Sequence, residues 1–139
     1  MPETYTPTTS TDSDSKRATE LVEDSPPLSY FITFLCVVKF EGYSKAAKRL
    51  GLTQGAVSKQ IDRLEEWCGD KLFTSNRPPK LTEHGKTKFM LISDGVSRIL
   101  SSSDHINSYL SENVGEDDGI ESVIFDILVR RLKSIASDY

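Results

Sequence analysis

Four residues close together in the chain, Gln54, Gly55, Ser58 and Lys59, carry side-chain chemistry suited to reading the edge of a DNA base. Glutamine pairs with the adenine edge, serine bonds to bases or phosphates, lysine reaches the guanine acceptors or the backbone, and glycine lets the main chain come close. None of the four is acidic. The acids of this stretch, Asp62, Glu65 and Glu66, come later, so its N-terminal half is the end suited to enter a major groove. The complementary face is apolar: Val57, Ile61, Leu64 and Cys68 recur at steps of 4, 3 and 4, the stripe of a helix turned toward a core.

These residues need two helices joined by a turn. Thr53 is the expected N-cap of a helix of about 16 residues, roughly 24 Å long, that runs to Gly69. Before it, Ser44 can cap a short helix whose Ala46, Ala47 and Leu50 face inward, and the small alanines let the second helix cross closely. Gly51 ends that helix. Taken alone, the pattern also fits an ordinary helical hairpin with solvated polar faces.

The flanks bear on this choice. Leu28, Phe31, Phe34 and Val37 repeat every three residues ahead of the hairpin, and LEEWCGDKLF and RPPKLTEHG follow it. Over residues 28–86 the chain resembles the LysR-type winged helix-turn-helix, whose signatures are LExxLGxxLF and LTxxG. The resemblance implies a wing of two short strands at Leu72-Phe73 and Leu81, with Arg77-Pro78-Pro79-Lys80 at its tip, where the prolines hold two cations outward toward phosphate or minor groove. It implies binding to double-stranded DNA through Ser44, Gln54, Gly55, Ser58, Lys59, Arg77 and Lys80. The chain departs from the family pattern at Glu41-Gly42-Tyr43, where Gly-Ser-Phe is usual, at Ser75, where arginine is usual, and at Gly55, where proline or another small residue is usual. The wing is also one residue short.

The net charge of −4, from 17 basic and 21 acidic residues, conceals a division. Residues 28–110 hold 12 Lys/Arg against 8 Asp/Glu, residues 1–27 hold 2 against 6, and residues 111–139 hold 3 against 7. A basic module between acidic ends suits a phosphate-facing patch of moderate, salt-sensitive affinity. Residues 1–27 are rich in Thr, Ser, Asp and Pro, with Tyr5, Leu21 and Val22 as their large apolar side chains, and are expected to be a disordered acidic tail.

Past the wing, Thr82 or Glu83 opens a long helix, expected over 87–113. Phe89, Ile92, Val96, Ile99, Ser103, Ile106 and Leu110 alternate at steps of 3 and 4, a heptad seam for pairing with another helix. In the family the equivalent linker helix forms the dimer interface, so Phe89, Ile92, Val96, Ile99, Ile106 and Leu110 are the expected dimer contacts. After Gly115–Gly119, Ile120, Val123, Ile124, Ile127, Leu128, Leu132 and Ile135 make a second amphipathic helix over 117–139, capped by Asp117 or Asp118. LysR-type regulators continue into a two-lobed α/β domain that binds a small inducer. The chain ends where that domain would begin, and no small-molecule effector is expected.

Other chemistries find no support. Cys36 and Cys68 lie on apolar faces without CxxC spacing and suit a reducing compartment, and His84 and His105 lie 21 residues apart without ligand partners. No phosphate loop, nucleophile elbow, signal peptide or membrane span is present in the pattern, so no enzyme, cofactor or metal is expected. The expected fold class is mainly α: a winged helix-turn-helix with a short two-stranded wing, a long dimerisation helix and an extra C-terminal helix. The expected protein is a cytoplasmic, nucleoid-associated and, by the resemblance, bacterial transcription regulator, homodimeric on an inverted repeat. The alternative is an interaction protein that heterodimerises with another regulator through residues 86–139.

Overall fold

The computed structural model describes residues 10–113 of the chain, as six helices: α1 (Ser10–Glu23), α2 (Leu28–Phe40), α3 (Tyr43–Leu50), α4 (Gln54–Cys68), α5 (Glu83–Ser101) and α6 (Asp104–Asn113). Helix α2 is the axis. Six consecutive residues, Ile32 to Val37, are buried, which happens when a helix is covered on all sides rather than along one stripe. Helices α3, α4 and α5 each pack against it. Phe34 sits at the centre, edge to face with Phe73 at 5.4 Å and with Phe89 at 6.3 Å. The buried Thr33 hydroxyl donates to Gln60 Oε1 at 2.6 Å and ties α2 to α4.

The two helices of the hairpin follow from local signals. Ala46, Ala47 and Leu50 of α3 and Val57, Ile61 and Leu64 of α4 are buried against each other and α2. Gly51, at φ 69°, closes α3, and the Thr53 side chain accepts the Ala56 N–H at 3.1 Å to open α4. The start of α3 differs from expectation. Glu41 takes the left-handed conformation at φ 55°, ψ 41°, its N–H bonds back to Val37, and the helix begins at Tyr43 with Gly42 in the capping position. Ser44 is therefore inside the first turn and caps nothing.

Where the two-stranded wing is expected, the described residues after α4 form a loop with minimal pairing and no extended strand. Among the described residues the only pairing there is one antiparallel bridge, Phe73 to Leu81, flanked by Thr74 N–H to Lys80 O at 2.7 Å and Thr82 N–H to Leu72 O at 3.0 Å. Pro78 and Pro79 lack the N–H groups that would extend the ladder toward the tip. Glu65 anchors the loop's root. Unlike the exposed Asp62 and Glu66 it is buried, and its carboxylate accepts the Leu72 N–H at 2.7 Å. Thr82 caps α5 through the Gly85 N–H at 2.9 Å, and a Cβ at Gly85 would meet Leu72 O at 2.1 Å, so only glycine lets α5 cross the loop this closely.

Two further expectations are corrected. The long helix is broken at Ser102–Ser103. The Ser102 hydroxyl donates to Ile99 O at 2.6 Å, and the Ser103 hydroxyl accepts the Ile106 N–H at 3.3 Å, so serines that favour local backbone bonds end one helix and cap the next. The heptad residues also divide. Val96 and Ile106 are buried in the protein's own core with Leu100, Phe89 and Ile92 are half-buried against it, and Ile99 is 55% exposed. Leu110 falls within α6, but its side chain lies outside the described residues.

The N-terminal stretch, read as disordered, is helical from Ser10 to Glu23. Its C-terminal end is held from outside: Arg63 of α4 forms an ion pair with Asp24 at 3.1 Å and also donates to the Asp24 carbonyl, while Trp67 Nε1 lies 3.5 Å from Leu21 O. Such tertiary anchors are what a polar segment lacks on composition alone. The expected helix over 117–139 and its stripe from Ile120 to Ile135 lie outside the described residues. Among the described residues, no single helix is long and apolar enough to cross a membrane.

Candidate nucleic-acid interface

Helix α4 projects from the core with its apolar stripe inward and the start of the helix exposed. Gln54 and Gly55 are exposed in the first turn, Ser58 is half-buried one turn on, and Lys59 is exposed. Beside them, α3 presents Ser44 and Lys45, and the 74–79 loop closes the third side. The result is an open cleft of about 460 Å³ that gathers Ser44, Lys45, Gln54, Ser58, Asn76 and Arg77. Glu41 is the acid at its edge.

Four of the seven expected DNA-binding residues thus share one concave surface: Ser44, Gln54, Ser58 and Arg77. Gly55 stands on the exposed crest of α4, and a Cβ there would meet no atom within 4 Å. Lys59 lines a different recess on the other flank of α4, with Tyr30, Arg63 and the 23–27 segment. Lys80 is exposed outside both, with its N–H bonded to Thr74 Oγ1 at 3.1 Å. The sequence reading missed Lys45 and Asn76. Lys45 was detectable in principle as an exposed cation on the first helix of the hairpin, the helix that crosses the backbone in this docking mode, whereas nothing in the sequence singles out Asn76.

The electrostatics of the cleft suit an anion. Neither α3 nor α4 carries an acid in its first turn, so their N-terminal N–H groups keep the partial positive charge of the helix dipole. Lys45, Lys48 and Arg49 stand exposed along α3, with the Arg49 guanidinium 5.5 Å from the centre of the Phe40 ring. Tyr43 has its phenol pushed up to about 12, chiefly by burial and then by the Glu65 carboxylate, so it stays protonated. Burial likewise pushes the Cys36 thiol up to about 12 and raises that of Cys68. Neither cysteine is a thiolate nucleophile at neutral pH. No group of His, Cys, Asp and Glu that could hold a metal ion is found among the described residues.

Known proteins share this arrangement. Residues 28–86 match the family described as bacterial regulatory helix-turn-helix protein, lysR family. An uncharacterised HTH-type transcriptional regulator of Methanocaldococcus jannaschii is 48% identical over 64 residues, covering 44% of this chain and 21% of that protein. The glycine cleavage system transcriptional activator of Escherichia coli is 32% identical over 115 residues, covering 82% of this chain and 38% of the activator. The chain thus spans well under half the length of these relatives. Among solved structures, a LysR family transcriptional regulator superposes with a TM-score of 0.55 at 28% identity over 63% of this chain and 31% of its own. The DNA-binding domain of BenM in a complex with benA site 1 DNA superposes with a TM-score of 0.50 at 30% identity, over 63% of this chain and 98% of that one. Residues 28–86, with helix-turn-helix α3–α4 on the α2 axis, are a helix-turn-helix domain of the lysR family, similar to the DNA-binding domains of these regulators.

Proposed function

We propose that the protein is a transcription regulator that inserts the N-terminal half of α4 into the major groove of double-stranded DNA. The cleft that brings Ser44, Gln54, Ser58 and Arg77 together carries this reading. Gln54 and Ser58 offer hydrogen bonds to base edges, Gly55 allows close approach of the main chain, and Ser44, Lys45 and Arg77 meet the phosphates on either side. Lys59 and Lys80 add cations at the margins. The likeness to the BenM DNA-binding domain, which was solved in complex with DNA, supports double-stranded DNA as the ligand.

The acting unit is a homodimer on an inverted repeat. An apolar groove of about 490 Å³ between α2, the end of α4 and α5 supports pairing, with Leu28 at 38%, Trp67 at 41%, Leu91 at 64% and Ile99 at 55% exposure. Mapping of bound sites across the genome followed by titration of the mapped operator tests the proposal. Gln54→Ala and Lys59→Ala are each expected to weaken operator binding by about 1–3 kcal/mol without loss of fold. A Gln54/Lys59 double variant with wild-type affinity would remove α4 as the reading helix. A protein that is monomeric alone and binds the operator only with a second regulator would replace the homodimer with a heterodimer.

A further inference from the structure

Lys59, Arg63 and Trp67 follow one another at four-residue steps and form a ridge along one flank of α4, beginning beside the reading face. The segment that leaves α1 runs along this ridge in the opposite direction. Leu21 O lies by Trp67 Nε1, Asp24 pairs with Arg63, and Glu23 to Pro27 share a recess of about 280 Å³ with Lys59. Two acidic residues, Glu23 and Asp24, therefore line the same recess as the two cations Lys59 and Arg63. The acidic partner comes from outside residues 28–86, so this contact is an addition to the family domain.

Arg63 follows Lys59 one turn further along α4 and is occupied internally. Its guanidinium holds the Asp24 carboxylate at 3.1 Å and the Asp24 carbonyl as well, with the Arg63 side chain 30% exposed and that of Asp24 77% exposed. An ion pair this open to water is weak and can be displaced by a polyanion. DNA must nonetheless displace it before it gains the cation, and the remaining carboxylates repel the backbone. We propose that Asp24 is a specificity-determining residue: its carboxylate stands in for a DNA phosphate on Arg63 and, with Glu23 beside Lys59, lowers the affinity for DNA of any sequence. Binding then depends more on base contacts in the Gln54 cleft, which the internal carboxylates do not touch. The inference rests on the reading of α4 as the recognition helix.

Titration of the full chain with a fluorescent random-sequence duplex over a range of salt concentrations tests it. Asp24→Asn is expected to raise this affinity severalfold at low salt and to steepen the slope of log affinity against log salt by about 0.9, as for one added phosphate contact. Adding Arg63→Ala should return the slope to that of the wild type, and Arg63→Ala alone should cost little. An unchanged slope in Asp24→Asn, or a gain that survives Arg63→Ala, would overturn the role of Asp24. Gln54→Ala on the mapped operator is the separate control: its loss of binding beside an inert Asp24→Asn leaves the recognition helix standing and removes only this inference. A wild type that binds no duplex at all removes both.

Discussion

At the scale of single residues, Gly55 separates what the fold needs from what the ligand needs. It sits exposed in the first turn of α4, in ordinary helical conformation, with open space where a Cβ would be. Glycine in such a place costs roughly 0.5–1 kcal/mol relative to alanine, so nothing in the domain itself requires it. Gly55→Ala is accordingly expected to stabilise the protein by up to about 1 kcal/mol in denaturant unfolding while weakening operator binding or changing its base preference. Greater stability with unchanged binding would show that no DNA atom approaches the main chain at this point. Glu41 is the reverse case. It occupies a left-handed position that costs a non-glycine residue about 1–2 kcal/mol, and it falls where the family usually places glycine.

Among the elements, the 74–80 loop depends on a side chain that belongs to another one. The loop has a single bridge to its name, so its position comes from Glu65 of α4, which accepts the Leu72 N–H, and from Thr82, whose hydroxyl donates to Lys71 O at 2.6 Å. Helix α4 thus carries the proposed reading face on one side and the support for the loop on another, and Arg77 shares a cleft with Gln54. Glu65→Ala leaves a buried N–H without its acceptor and is expected to cost about 1–3 kcal/mol, with Glu65→Gln recovering part of the loss. The same variant should weaken DNA binding by more than its stability loss explains when measured well below the unfolding midpoint, because Arg77 is no longer held. Wild-type stability in Glu65→Ala would mean that the loop root is held by Thr82 alone.

For the whole molecule, the question is which apolar surface is core and which is available for a partner. Val96, Leu100 and Ile106 are buried within one copy, whereas Ile99 is exposed beside Leu91 at the mouth of the α2–α4–α5 groove. A charge at Ile99 is therefore expected to spare the monomer and to disrupt pairing, since an unpaired carboxylate buried in an interface costs several kcal/mol. Light scattering should find Ile99→Asp folded and monomeric, and operator affinity should fall with the dimer, because two tethered heads supply the effective concentration that one half-site contact lacks. Val96→Asp, by contrast, should unfold the domain. A dimeric Ile99→Asp protein would move the interface elsewhere, and a monomer that binds the operator at full strength would uncouple pairing from recognition.

The helix-turn-helix was legible in the sequence because its signals are local. Thr53 caps, Gly51 and Gly69 stop, and the stripe of Val57, Ile61 and Leu64 needs no knowledge of any other segment. The LysR signatures extended that reading to residues 28–86, including the glycine of LTEHG, whose close approach to Leu72 the structure explains. What the sequence could not decide depends on contacts between distant segments. A run at heptad spacing looks the same whether it faces a partner or its own domain, and it was the packing of α5 across α2 that buried Leu100 in place of Ile99 and left serines to break the helix. Glu65 has the composition of a surface acid until Leu72 presents it with an N–H, and the acidic N-terminal segment has too little apolar surface to order itself until Arg63 and Trp67 anchor its end. Each of these outcomes turns on a hydrogen bond or a buried contact supplied by a different element, and such partners appear only when the chain has closed on itself.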